Sequence, residues 1–182
     1  MSKAGSLPYV VTPQVPNARL ADALGAVSAL YGATLGQTKS DVDLTVPAAR
    51  LHDLAVTLKE RSAFQFDYLR NMAGVDFGEE GMAVKYQLYS FRHGHTLQIT
   101  VSLPPHNHPH PSVPSIADLY PAADWHEREA AEMFGIHFEG HPNLKNLLLE
   151  EDLHIHPLLK AHPLQKAEIK QGIEDGPAGF TF

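Results

Sequence analysis

Three carboxylates and one arginine in a short stretch, Glu127-Arg128-Glu129 with Glu132, are the residues whose types and spacing could do chemistry in this 182-residue chain. On a helix, Glu129 and Glu132 stand one turn apart, close enough for two carboxyl groups to couple and titrate separately, as an acid–base pair does. Such a pair also needs a cleft and a reacting group. No nucleophile, phosphate-binding loop or nicotinamide-type glycine pattern accompanies these residues, so no self-contained active site is expected.

Histidine is the second candidate. Twelve are present, with His106, His108 and His110 in one proline-bracketed loop, His93 and His95 flanking Gly94, and His154 and His156 two apart. In an extended segment an i,i+2 pair points both imidazoles to one side and could offer a zinc or nickel ion two ligands. Structural zinc usually takes four ligands, commonly with cysteine, and no zinc-finger or metalloprotease spacing occurs. Solvated histidines are therefore expected rather than a bound metal. Their titration near neutrality would carry the net charge of −7 toward zero in mild acid.

The elements that must position these residues are legible from periodicity. Residues 1–16 hold Pro8, Pro13 and Pro16 and predict an extended arm. Leu20, Leu24, Val27 and Tyr31 recur at helical spacing over Arg19–Tyr31, with Asn17 as a cap. Val42, Leu44 and Val46 alternate as in a strand. Pro47 suits the first turn of a second helix faced by Leu51, Leu54 and Leu58. Phe64, Phe66 and Tyr68 alternate again. Val84, Tyr86 and Leu88, then Leu97, Ile99, Val101 and Leu103, each face one way, and Arg92-His93-Gly94 between them predicts an antiparallel hairpin.

The proline-rich stretch 104–114 ends the sheet. A short helical stretch follows over Ser115–Tyr120, then the charged helix to Phe134 with Gly135 as its C′ residue. From Ile136 onward no period is visible. The order of elements implies an α+β, two-layer domain with a mixed, largely antiparallel sheet covered by helices, plus an irregular C-terminal tail. The boundaries read as 1–16 arm, 17–135 domain and 136–182 partner-docking tail.

Composition narrows the function. Hydrophobic residues at 43% and charged residues at 19% are ordinary for one globular domain. With 14 basic against 21 acidic residues, non-specific binding to nucleic acid or an anionic membrane is disfavoured. No apolar run approaches the roughly 20 residues of a membrane-spanning helix. The first residues lack the apolar core of a secretory signal, so a cytoplasmic chain is expected. Without cysteine there is no disulfide and no usual ligand for an iron–sulfur cluster.

On helical spacing Trp125, Arg128, Glu129 and Glu132 share a stripe, and Arg128 can pair with Glu132 or with an acid on another chain. A bland reading is a solvated face with local ion pairs worth ~0.3–0.5 kcal/mol each. A stripe with tryptophan and arginine in it also suits a protein interface, where aromatics anchor and fixed charges set register.

The order of these residues resembles one family, the 30 kDa (C) subunit of NADH-quinone oxidoreductase, respiratory complex I. Its pattern is similar to Glu127-Arg128-Glu129, Glu132, Met133-Phe134, His141 and Lys145, followed by Leu147-Leu148. The stretch from Val113 to Trp125, Asn71-Met72-Ala73-Gly74-Val75-Asp76 and the hairpin over Tyr86–Leu103 also look like the family, so the likeness spans about residues 62–164. One closing segment departs. Where the family reads Gly-His-Pro-Leu-Arg-Lys-Asp-Tyr-Pro-Leu, this chain has Ile155-His156-Pro157-Leu158-Leu159-Lys160-Ala161-His162-Pro163-Leu164.

The resemblance implies a non-catalytic peripheral-arm subunit of a proton-translocating respiratory-chain enzyme, a translocase passing electrons from NADH to quinone. The chain would sit peripherally on the cytoplasmic side of the cell membrane. It would pack against the large quinone-site subunit and the small cluster-bearing subunit, and NADH, FMN, iron–sulfur clusters and quinone would be held by partner subunits. Trp125, Glu127, Arg128, Glu129, Glu132, Phe134, His141, Pro142 and Lys145 are the expected interface residues, with no catalytic, cofactor or metal residue. Two rival readings are a homologous subunit of a membrane-bound hydrogenase or other non-NADH dehydrogenase, and a stand-alone histidine-rich metal-binding protein.

Overall fold

Alternation builds the central sheet. A computed structural model describes residues 18–38, 41–106, 111–150, 153 and 155–162. The arm over 1–16, the Asn17 cap, His108, His110, His154 and the chain beyond His162 lie outside the described residues. Helix α1 (Ala18–Tyr31) is followed by β1 (Thr34–Gln37), β2 (Val42–Thr45), α2 (Leu51–Glu60), β3 (Tyr68–Asp76), β4 (Met82–Ser90) and β5 (His95–Leu103). Then come β6 (Ser112–Pro114), α3 (Pro121–Phe134) and β7 (His137–Glu139).

The main sheet runs β1-β2-β5-β4-β3, with β2 parallel to β5 and the other pairs antiparallel. The expected α+β fold with a mixed, largely antiparallel sheet is what forms. Leu44, Ile99, Tyr86 and Met72 face the core, as do Val42, Leu97 and Leu88 in the neighbouring row. Leu51, Leu54 and Leu58 of α2 and Leu20, Leu24 and Val27 of α1 join the same buried cluster. Tyr31 and Thr57 tie the two helices by a 2.5 Å hydrogen bond between their hydroxyls. The opposite face is polar, and Asp43, Gln98, Gln87 and Asn71 stand in one row across four strands. This is the two-layer arrangement, with helices on one face.

Helix α3 sits on β3 because β3 offers a glycine. A Cβ on Gly74 would lie 2.6 Å from the Phe134 ring, so the close approach of helix to strand depends on its absence.

Three segments differ from the periodic reading. Phe64 and Phe66 alternate yet lie in a turn, because Gln65 has φ 43° and the N–H groups of Phe64 and Gln65 donate to the Arg61 carbonyl. Both rings are buried, so the alternation reports burial and not extension. Ser115–Tyr120 forms one turn rather than a helix, closed by the Leu119 and Tyr120 N–H groups on the Ile116 carbonyl. After Gly135, Ile136 and Phe138 are buried and β7 pairs in parallel with β6.

Candidate functional site

Helix α3 begins and ends as its sequence demands. Tyr120 enters extended, Pro121 occupies the first turn, where its missing N–H costs nothing, and Asp124 lies in that turn. Gly135 leaves in the left-handed region at φ 71°, its N–H on the Ala131 carbonyl.

The signature side chains divide by direction. Glu127 is fully buried and points into its own chain. It accepts the Ser115 hydroxyl at 2.5 Å and the Ile116 N–H at 2.8 Å, and so fastens the turn that precedes α3. Burial pushes its carboxyl up to about 7, against the lowering effect of those two donors, with Asp118 and Asp124 adding a smaller push upward. The imidazole of His141 is equally buried, 3.2 Å from Asp124 Oδ1 and 3.9 Å from Glu127 Oε2. Its Nδ1 accepts the Asn143 N–H, which leaves the ring proton on Nε2, facing the Asp124 carbonyl at 3.1 Å. As bonded here, the ring is a neutral neighbour of Glu127 and not a counter-ion.

Glu132 and Arg128 together bind backbone. The Glu132 carboxylate receives the N–H groups of Leu147 (2.7 Å), Leu148 (3.0 Å) and Leu149 (3.4 Å). Arg128 donates from Nε to the Lys145 carbonyl (2.9 Å) and from Nη2 to the Asn146 carbonyl (2.8 Å). The anticipated Arg128–Glu132 pair is replaced by this division, in which the cation takes carbonyls and the anion takes successive amides, as oriented peptide groups favour. The described residues between 144 and 160 form a strap that is thereby held to α3. His156 Nδ1 donates to the Glu132 carbonyl, Leu158 N–H to the Met133 carbonyl, and Lys160 N–H to Asp76 Oδ2.

The remaining expected residues face outward or pack locally. Trp125 is 65% exposed, and Glu129, Pro142 and the Lys145 side chain are also exposed. Phe134 is half-buried against Gly74. The helical stripe is thus split: Glu132 turns inward, Arg128 lies at the boundary, and Trp125 and Glu129 remain at the surface.

Sequence reasoning missed the strap's outer face. Leu148 (64% exposed), Leu153, Ile155 and Leu158 present large apolar side chains to solvent. Leu158 also shares an apolar cleft of about 190 Å³ with Met72, His126, Glu129, Met133 and Phe134. The run Leu147-Leu148-Leu149 was the available signal, but it has neither helical nor strand period. Leu159, where the family pattern has arginine, is 3% exposed and joins the core.

The histidine clusters are only partly within the described residues. His93 and His95 stack at 5.5 Å, and His106 meets His156 edge-on at 5.6 Å beside Gly135. Among the described residues, no group of three or more histidine, aspartate or glutamate side chains is placed to hold a metal ion. Also among them, no helix is long and apolar enough to cross a membrane.

Fold and site define a class of protein: a two-layer α+β domain that uses one charged helix to fasten an irregular strap with an apolar outer face. The family model described as respiratory-chain NADH dehydrogenase, 30 kDa subunit, matches residues 44–168. The C subunit of NADH-quinone oxidoreductase from Roseiflexus sp. (strain RS-1) is 39% identical over 146 residues, covering 78% of this chain and 82% of that protein. The C subunit from Caulobacter vibrioides (strain ATCC 19089 / CIP 103742 / CB 15) is 36% identical over 134 residues, covering 71% and 66%. The chain belongs to this 30 kDa subunit family. Its fold also matches a chain in the structure of the membrane-bound sulfane sulfur reductase, an archaeal respiratory membrane complex. That match has a TM-score of 0.64 and 21% identity, and covers 81% of this chain and 87% of that one.

Proposed function

We propose that this chain is a structural, peripheral-arm subunit of a proton-translocating NADH-quinone oxidoreductase, without an active site or cofactor of its own. It sits on the cytoplasmic side of the membrane, packed against the large quinone-site subunit and the small cluster-bearing subunit, and fixes their relative position for electron transfer from NADH to quinone. NADH, FMN, iron–sulfur clusters and quinone belong to the partners. The relatives, named as C subunits of NADH-quinone oxidoreductase, support this electron donor over the hydrogenase-type and metal-binding alternatives.

One observation carries the reading. Glu132 and Arg128 hold the strap so that Leu148, Leu153, Ile155 and Leu158 stay in water. Large apolar side chains kept outward by charged anchors behind them are the anatomy of an interface core awaiting its other half. Trp125, Glu129, Pro142 and Lys145 then form its polar and aromatic rim, while Glu127, Phe134 and His141 shape it from behind.

The test is a pull-down of the tagged full chain from detergent-solubilised membranes of its host, wild type beside Leu148→Asp/Leu158→Asp. Wild type should recover cluster-bearing and membrane-embedded subunits with NADH-quinone activity. The double variant should lose at least nine-tenths of them and keep the wild-type melting temperature. A wild-type chain recovered alone would overturn the assembly role, and undiminished recovery by the variant would overturn the strap's part in it.

A further inference from the structure

We propose that the helix-free end of the sheet, built from Tyr68, Arg70, Tyr89 and Phe91, is a second docking surface that takes an acidic segment of a partner polypeptide. This rests on the reading of the chain as a subunit, and adds to it a bridging geometry.

Register places the surface. Tyr68 pairs with Tyr89 and Tyr89 with Thr96, one row along from the polar row Asn71–Gln87–Gln98–Asp43, so these side chains lie on the face the helices leave open. The strap and α3 occupy the other face, and α3 meets β3 at Gly74. Gly74 lies six residues along β3 from Tyr68, roughly 20 Å at strand rise. The two surfaces therefore differ in face and in end, and one partner segment cannot cover both without wrapping the sheet edge.

Its chemistry differs too. Phe91 is 68% exposed and Tyr68 45%. The Phe91 ring stands 5.4 Å from Tyr68 and 5.3 Å, edge-on, from Tyr89, so three aromatic rings cluster in solvent. With Arg70, Gly94 and Thr96 they line a concavity of about 490 Å³. Arg70 is the residue at which the β3–β4 register shifts, which turns it out of the ladder.

Charge selects the occupant. Arg70 has no carboxylate partner among the described residues, in a chain whose net charge is −7. Arg92 follows Phe91 in the hairpin turn and is exposed. The acid beside Tyr68 is Asp67, and it already accepts the Phe91 N–H at 3.1 Å. Burial, and then the neighbouring His93, lower the pKa of His95 from its ordinary value, and Arg70 and Arg92 supply the fixed positive charge here. An unpaired guanidinium among exposed tyrosine and phenylalanine rings binds a carboxylate through paired N–H groups while the rings cover apolar flanks.

The experiment uses the full chain in its host, carrying a photo-crosslinking phenylalanine analogue at Phe91, beside Arg70→Glu and Arg92→Glu variants. Crosslinks should map to an Asp- or Glu-rich peptide of a co-purifying subunit. Arg70→Glu should lower that crosslink and that subunit's recovery at least fivefold, leave the strap-bound subunits in place, and leave the melting temperature unchanged. Replacing the crosslinked acid with lysine should restore recovery by the Arg70→Glu chain. Crosslinks to a second copy of this chain, to lipid, or to a basic or neutral peptide would overturn the proposal, as would an Arg70→Glu chain with undiminished recovery. If Arg70→Glu lowers the melting temperature, Arg92→Glu, in the turn, serves in its place. Wild type recovered without partners would instead sink the subunit reading itself.

Discussion

The α3–strap region and the hairpin end of the same sheet use charge in opposite ways. At α3, Glu127, Glu132 and Arg128 are turned toward their own chain and bonded to a serine hydroxyl, backbone amides and backbone carbonyls. At the hairpin end, Arg70 and three aromatic rings face solvent. On the proposed reading, the first region serves partners by holding the strap behind their contact, and the second by touching them directly. Within the signature, Glu127, Arg128 and Glu132 are bonded inside the chain, while Trp125 and Glu129 remain exposed.

Substitutions sharpen the contrast, the largest effect first. Gly74→Val should destabilise the isolated chain by about 3 kcal/mol, because the new side chain must displace Phe134 and lift α3 from β3. Chemical denaturation measures it, and a loss below about 1 kcal/mol would contradict the close approach.

Glu127 supplies the pH dependence. Its folded value of about 7 lies above the ordinary 4.5, so the folded chain holds this proton more tightly than the unfolded chain does. That contribution is complete below about 4.5 and is lost as pH rises through about 7. It amounts to something on the order of 3 kcal/mol at most. In denaturation series at about pH 5 and about pH 8, either side of that value, Glu127→Gln should remove most of the difference attributable to this group. An unchanged pH profile would place the proton elsewhere.

Arg128→Met leaves the Lys145 and Asn146 carbonyls without their donors and should cost about 1–3 kcal/mol, most of it local. Faster amide exchange in the strap with little change in the sheet is the signature to look for. At the other end, Arg70→Ala and Trp125→Ala should each change the stability of the isolated chain by less than about 0.5 kcal/mol, as exposed residues do. A larger loss at either would mean that the exposed groups have structural work within the chain.

Much of the architecture was legible in the sequence, and the reasons for the gaps are physical. The β4–β5 hairpin and α1, α2 and α3 each carry a sustained period, and Gly135 marks the end of α3. Strand β1 is four residues long and exposed throughout, so it has no alternation to read. Phe64 and Phe66 alternate for burial around a residue of positive φ, which hydrophobicity alone cannot reveal. The parallel pairing of β6 with β7 joins segments on either side of α3 and has no local signature. The site shows the same limit. The type and spacing of Glu127, Arg128 and Glu132 pointed to a distinctive helix, but their partners are peptide groups, which every residue possesses. Nothing in Leu147-Leu148-Leu149 announces that its amides hold a carboxylate.

The most direct test of the anchored strap is amide hydrogen exchange at Leu147, Leu148 and Leu149 in the isolated chain, wild type against Glu132→Gln. Strong protection in wild type, lost at these positions in the variant while β4 and β5 keep theirs, is the expected result. Equal exchange in the two proteins would show that Glu132 does not hold the strap, and the signature would have to be sought in direct contacts after all.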